Sequence, residues 1–423
     1  MPDALSPIWH PFTQHAVAPP PTLIARGEGA RLITPDGRRI IDAIASWWVT
    51  LHGHGHPRIA AAIANQAATL EQVIFAGFTH APAETLARRL LARAPEGLAV
   101  AFLSDSGSTA VEVAVKMAVG FWHHRGERRT RIVALEDGYH GDTFGAMACG
   151  ERGLFTEPYW PMLFEVERLP FPRAGAEQAT IEAFTELLRR NGGTVAALIV
   201  EPLVLGAGGM RMYPPWVLKA LADLCRQHGV LLIADEVMTG FGRTGTFFAC
   251  EQADVAPDLM CLSKGLTGGF LPMGVTLATK DIYDAFYAVD RAKMFFHSSS
   301  YTGNPIACAA ALASLDIWED EPVFAHIEAI AAQHRKRLEG LHARPEVVET
   351  RQTGTIAAIE LCVPAAGYFA ELGPRLYRFF LERDVLLRPL GNVVYVLPPY
   401  CITRDELNAV YDAISEALTL VTV

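Results

Sequence analysis

The chain has 423 residues, of which 51% are hydrophobic and 19% charged, so it can bury a large core and is not intrinsically disordered. Its 36 Lys+Arg against 46 Asp+Glu give a net charge of −10, which disfavours the phosphate-driven binding of a general nucleic-acid partner and favours small molecules. Seven cysteines without a close pair point to neither a zinc ribbon nor a disulfide framework, and so to a reducing compartment.

In chain order, the opening is rich in proline (Pro2, Pro7, Pro11, then Pro19 to Pro21) and reads as an extended arm. No basic stretch leads into an apolar one there, and no later run reaches about 18 apolar residues, so a soluble cytoplasmic protein off the membrane is expected. Pro35-Asp36-Gly37 is a turn signal between two short apolar runs and predicts a hairpin. From about residue 58 to 330, helical patterns alternate with the apolar runs Val100 to Leu103, Ile132 to Leu135, Ala197 to Val200, Val230 to Ala234 and Leu259 to Leu262. Such alternation predicts an α/β fold with a mostly parallel sheet sandwiched by helices. Beyond it, a helix from Gln333 to Leu341, strands near Gly354 to Leu361 and Val393 to Leu397, and a last helix from Arg404 to Leu418 read as a smaller α+β domain. The expected division is an arm and hairpin at 1–57 contributing to the small domain, a large domain at 58–330 and the C-terminal small domain at 331–423.

Three strand ends carry candidate chemistry. Ser104-Asp105-Ser106-Gly107-Ser108 lies between an apolar strand and a helical pattern, a geometry whose free N–H groups and hydroxyls suit a phosphate, with an ordinary helix cap as the alternative. Asp235-Glu236 ends the run from Val230, at the carboxyl edge where open α/β sheets place ligands. Lys264, one of only six lysines, follows Leu259 to Leu262 and precedes Gly265, Gly268 and Gly269. Desolvation at such a strand end lowers an amine's pKa and makes it a nucleophile; a snorkelling surface lysine is the alternative. Together, phosphate loop, acid and lysine are the parts a pyridoxal 5'-phosphate site needs.

At these residues the chain resembles the fold-type I, class III aminotransferases. The shared segments are Trp9-His10-Pro11, Ser46-Trp47-Trp48, Ser104 to Ser108, Gly138 to Thr143, Asp235-Glu236, Gly240 to Gly245, Lys264, Gly303-Asn304-Pro305 and Arg388-Pro389. The resemblance implies pyridoxal 5'-phosphate as cofactor, with Lys264 as the Schiff-base lysine, Asp235 as partner of the pyridine nitrogen, Tyr139 stacked on the ring, and Gly107 and Ser108 on the phosphate. It also implies a homodimer with active sites at the subunit interface, where Ser300 stands for the threonine that reaches the partner's phosphate. Arg243 and Asp142 match positions near the substrate entrance, a structural ion pair being the alternative.

Among the family's reactions, the resemblance implies amination of 8-amino-7-oxononanoate to 7,8-diaminononanoate, a step of biotin biosynthesis. Trp47 and Trp48 would wall a slot for the acceptor chain, and Arg388 would hold its carboxylate. Glu201-Pro202 leads into Leu205-Gly206-Ala207, without the acidic partner of arginine that relatives acting on ω-amino acids carry. Phe12 stands where S-adenosyl-L-methionine-using relatives have tyrosine, and some lysine-using relatives have phenylalanine there; Tyr395 and the Trp pair match the S-adenosyl-L-methionine type, the favoured donor. Another class III enzyme for ω-amino acids or diamines is the alternative. A metal enzyme is a weaker reading, because His52, His54 and His56 lie among glycines and lack helical metalloprotease spacing.

Overall fold

The structure is a computed structural model that describes residues 6–363 and 371–421, so Pro2 of the opening proline run lies outside the described residues. The strands are β1 (Arg26–Glu28), β2 (Arg31–Ile33), β3 (Arg39–Asp42), β4 (Leu98–Ser104), β5 (Arg131–Leu135), β6 (Val166–Leu169), β7 (Val195–Val200), β8 (Val204–Leu205) and β9 (Arg211–Met212). They continue with β10 (Leu231–Asp235), β11 (Leu259–Leu262), β12 (Gly274–Thr279), β13 (Val347–Thr353), β14 (Ile356–Leu361), β15 (Val385–Leu386) and β16 (Val393–Val396).

Seven of these strands form the central sheet in the order β4-β12-β11-β10-β7-β5-β6. β12 runs antiparallel to both neighbours, and the other pairings are parallel, as the alternating pattern predicts. β7, Val-Ala-Ala-Leu-Ile-Val, is buried along its whole length, because helices cover both faces of the sheet. One apolar cluster gathers Val113, Ala114, Met117 and Phe121 of the Gly107–His124 helix with Ile199 and Ile233, while Leu198 and Leu232 face a second, larger cluster on the other side.

Two of the seven strands escape the sequence reading. β6 carries charged residues at the sheet's edge, and β12 is built of small residues that give no strong apolar run. The expected hairpin forms as β2 against β3. β3 also pairs in parallel with β15, so this hairpin shares a four-stranded sheet with a segment of the C-terminal part. Among the described residues no helix is long and apolar enough to cross a membrane.

The parallel arrangement has one consequence for function. β4, β5, β7, β10 and β11 point the same way, so the loops after Ser104, Leu135, Val200, Asp235 and Leu262 emerge along a single edge.

Candidate active site

Lys264 opens the turn after β11 with a left-handed φ of 46°, a conformation that costs a non-glycine residue on the order of 1 kcal/mol or more. Half-buried, its ammonium loses hydration, which lowers its pKa; Asp235 and Glu201 oppose this shift and Arg243 adds to it. Its Nζ lies 5.3 Å from the centre of the Trp48 ring, so the amine faces an aromatic surface.

Asp235 ends the neighbouring strand, β10, and is buried. Its Oδ2 lies 2.7 Å from Nδ1 of His140, and its Oδ1 accepts from the Val237 amide at 3.1 Å. Two partners on one carboxylate fix its orientation.

The loop where a phosphate is expected opens the helix Gly107–His124. Ser106 caps it by accepting from the Thr109 amide, and Thr109 answers with its hydroxyl, which leaves the Gly107 and Ser108 amides without helical partners. A Cβ on Gly107 would lie 2.6 Å from Cγ1 of Val237, so only glycine lets this turn approach the Asp235 loop so closely. The Ser108 hydroxyl accepts from the Thr143 amide at 3.0 Å, and the Thr143 hydroxyl donates to Glu112, tying the helix start to the Gly138–Thr143 loop.

That loop also presents Tyr139, which is 37% exposed and so free to offer a ring face. Desolvation and the adjacent Asp142 carboxylate push its phenol above the ordinary range, so it stays neutral. The Tyr139 amide donates to Oε1 of Glu201 at 2.9 Å, and Glu201, buried just beyond β7, has its carboxyl pushed up to about 7 by desolvation.

Next to the lysine lies a strained turn. Ala45, Ser46 and Trp48 have φ of 49°, 60° and 67° although none is glycine. Asp42 holds the turn by accepting from the Ser46 amide at 2.7 Å and from its hydroxyl at 3.0 Å, while His54 Nε2 lies 2.8 Å from the same carboxylate. The distortion aims the two tryptophans in different directions. Trp48 is buried and donates from Nε1 to the Tyr395 hydroxyl at 3.0 Å. Trp47 is 42% exposed; its ring lies 5.7 Å from Phe12 and 5.3 Å from the Arg388 guanidinium. Arg388 donates to the Phe12 carbonyl at 3.1 Å.

Arg243 departs from expectation. It is 1% exposed and donates to the carbonyls of Pro398 (2.7 Å), Trp48 (3.3 Å) and Thr50 (3.2 Å), so it supports the Trp turn from within rather than lining an opening. Neither it nor Asp142 forms an ion pair among the described residues; Asp142 lies exposed beside Tyr139. Ser300 is not in this cluster. It is exposed, its carbonyl accepts from Gln72 at 3.0 Å, and the same stretch of chain exposes Phe296 and Tyr301.

The pattern of the aminotransferase class-III family matches residues 12–418. The chain belongs to the class III aminotransferases. It is 52% identical over 419 residues to the adenosylmethionine-8-amino-7-oxononanoate aminotransferase of Synechococcus elongatus, covering 97% of this chain and 98% of the relative. A solved structure of the enzyme of that name from Methanocaldococcus jannaschii superposes with a TM-score of 0.94 at 36% identity, covering 98% of this chain and 97% of the other. An amine transaminase from an uncultivated Pseudomonas species, solved in its PLP-bound form, superposes with a TM-score of 0.91 at 34% identity, covering 98% and 99%.

The site thus joins Lys264, Asp235, Tyr139, Gly107, Ser108 and Trp48 along one sheet edge, with Trp47, Phe12 and Arg388 beside it. Sequence reading assigns no role to His140 and none as a binding group to Glu201. Both lie in recognised segments, Gly138 to Thr143 and Glu201-Pro202, but their partners lie on other loops and strands. The three alternating histidines go elsewhere: His52 lies 3.1 Å from the Ser314 hydroxyl, His54 pairs with Asp42, and His56 faces Glu321 at 3.5 Å.

Proposed function

We propose that this aminotransferase uses pyridoxal 5'-phosphate to move the amino group of S-adenosyl-L-methionine onto 8-amino-7-oxononanoate, giving 7,8-diaminononanoate. The observation that carries this reading is the placement of two basic side chains on adjacent tryptophans: Lys264 faces Trp48 and Arg388 faces Trp47, each at 5.3 Å. A substrate that reacts at Lys264 and is anchored at Arg388 must span an aromatic wall, which suits a keto acid whose carbonyl and carboxylate are separated by an apolar chain. The Synechococcus relative's name specifies that acceptor and donor.

The residues present fit the cofactor. A desolvated amine, a carboxylate fixed by His140 and a glycine-tight helix start stand together, and they match its aldehyde, ring nitrogen and phosphate. When bound, pyridoxal 5'-phosphate supplies an aldehyde for the amino group and a ring that accepts carbanion electrons. Lys264 would hold it through Nζ and, when free, would move the proton of the donor carbon at that same atom. Asp235, oriented by His140, would keep the ring nitrogen protonated. Tyr139 would offer its ring face to the cofactor, and Gly107 and Ser108 would bind the phosphate with amides and a hydroxyl. Arg388 anchors the acceptor carboxylate and Trp47 and Trp48 exclude water from its chain.

The reading extends to a cytoplasmic homodimer with shared sites. Ile74, Phe78, Phe296 and Tyr301 are each more than 60% exposed near Ser300, where the Glu71 and Gln72 segment meets Asn304, and a second copy would cover them. Sedimentation should give a dimer; an active monomer would end that part of the reading.

The reaction is tested by incubating the purified holoenzyme with 8-amino-7-oxononanoate and either S-adenosyl-L-methionine or lysine, and following 7,8-diaminononanoate by mass spectrometry. Product from S-adenosyl-L-methionine is expected. Product from lysine alone would replace the donor, and amination of ornithine but not of the keto acid would replace the acceptor.

A further inference from the structure

Glu201 is a buried acid whose contacts the proposed chemistry does not use. Its two carboxylate oxygens serve two different loops: Oε1 accepts from the Tyr139 amide and Oε2 from the Gly206 amide, each at 2.9 Å. Its own backbone is pinned, since the Tyr213 hydroxyl donates to the Glu201 carbonyl at 2.8 Å. Tyr139 follows β5, whereas Gly206 follows β8.

Gly206 is also the seat of the slot wall. A Cβ there would lie 3.1 Å from Cζ3 of Trp48 and 3.0 Å from Cε of Met238, so Trp48 rests on backbone that Glu201 holds. One carboxylate therefore joins the loop carrying the aromatic face of the cofactor site to the floor beneath the tryptophan that faces Lys264. Burying an acid costs several kcal/mol unless it is well bonded, so a structure that only needed filling would use an apolar residue here.

We propose that Glu201 is a positioning residue that couples the Tyr139 loop to the acceptor slot, so that cofactor stacking and acceptor binding are set by a single carboxylate. The acceptor half of this statement rests on the function proposed above. The two oxygens of one carboxyl group accept from both amides at once. An amide side chain in either orientation turns an NH2 toward one backbone N–H, and an aspartate keeps the charge but falls one methylene short of spanning the loops.

The test compares Glu201→Gln, Glu201→Asp and Gly206→Ala with the parent protein by cofactor affinity, by hydrogen exchange of the segments holding the Tyr139 and Gly206 amides in the apoprotein, and by acceptor KM. Both Glu201 variants should bind cofactor several-fold more weakly, expose at least one of the two amides to faster exchange, and raise acceptor KM about tenfold. Gly206→Ala leaves Glu201 intact and presses on Trp48, so faster exchange at the Tyr139 segment in that variant would report the coupling directly and covers the case in which neither Glu201 variant folds. Unchanged cofactor affinity and exchange in the Glu201 variants, or Tyr139 exchange untouched by Gly206→Ala, would overturn the proposal, even if melting temperatures fall. If the parent protein does not use the long keto acid, the assigned acceptor is wrong, while affinity and exchange still decide the clamp.

Discussion

The strand-end cluster around Lys264 and the aromatic rim around Trp47 are built on different principles. Asp235, His140 and Glu201 are buried, each with named hydrogen-bond partners, and stand where neighbouring parallel strands stop. Trp47, Phe12 and Arg388 are at least partly exposed and come from a strained turn, an irregular arm and a C-terminal segment, meeting through ring faces and one backbone carbonyl. Strand ends hold charge to within fractions of an ångström, which proton movement at a fixed atom requires. A rim of loops can change its shape with little cost to the core, which suits the choice of substrate.

The contrast predicts that the cluster governs every step and the rim only some. Lys264→Ala should abolish turnover with either substrate, and the purified variant should lack the parent's yellow colour; an active, colourless preparation would remove the lysine from the mechanism. Removing that desolvated, strained side chain should also leave the apoprotein no less stable, read as an unchanged or higher melting temperature. Asp235→Asn keeps the shape beside His140 but removes the charge, and should lower the rate of both half-reactions by about a hundredfold or more. Arg388→Ala should lower acceptor kcat/KM by about tenfold to a hundredfold, since a charge-assisted pair is worth about 1.5–3 kcal/mol. The smallest effect belongs to Trp48→Phe, which keeps the aromatic wall but loses the bond to Tyr395, worth about 1 kcal/mol, and should change acceptor KM by several-fold at most.

How far the sequence reached follows the same division. The helix at Gly107–His124 and the strands ending at Asp235 and Leu262 were legible because apolar periodicity and strand-end polar residues are local signals. The pairing of His140 with Asp235 was not, since it spans 95 residues and depends on β7 lying between β5 and β10. Nor could Ala45-Ser46-Trp47-Trp48 be read as a left-handed turn: it contains no glycine, and its conformation is imposed by Asp42 and Arg243 from outside. Arg243 misled for the same reason, since a motif arginine looks ready for substrate until the three carbonyls that occupy it are located.

The division of labour is tested most directly by following the absorbance of bound cofactor in single-turnover reactions, donor and acceptor separately, for the parent, Asp235→Asn and Arg388→Ala. Asp235→Asn should slow both half-reactions by similar factors, whereas Arg388→Ala should slow the acceptor half-reaction at least tenfold and leave the donor half-reaction within about threefold of the parent. Equal losses in both half-reactions for Arg388→Ala, or a loss confined to one for Asp235→Asn, would contradict the account.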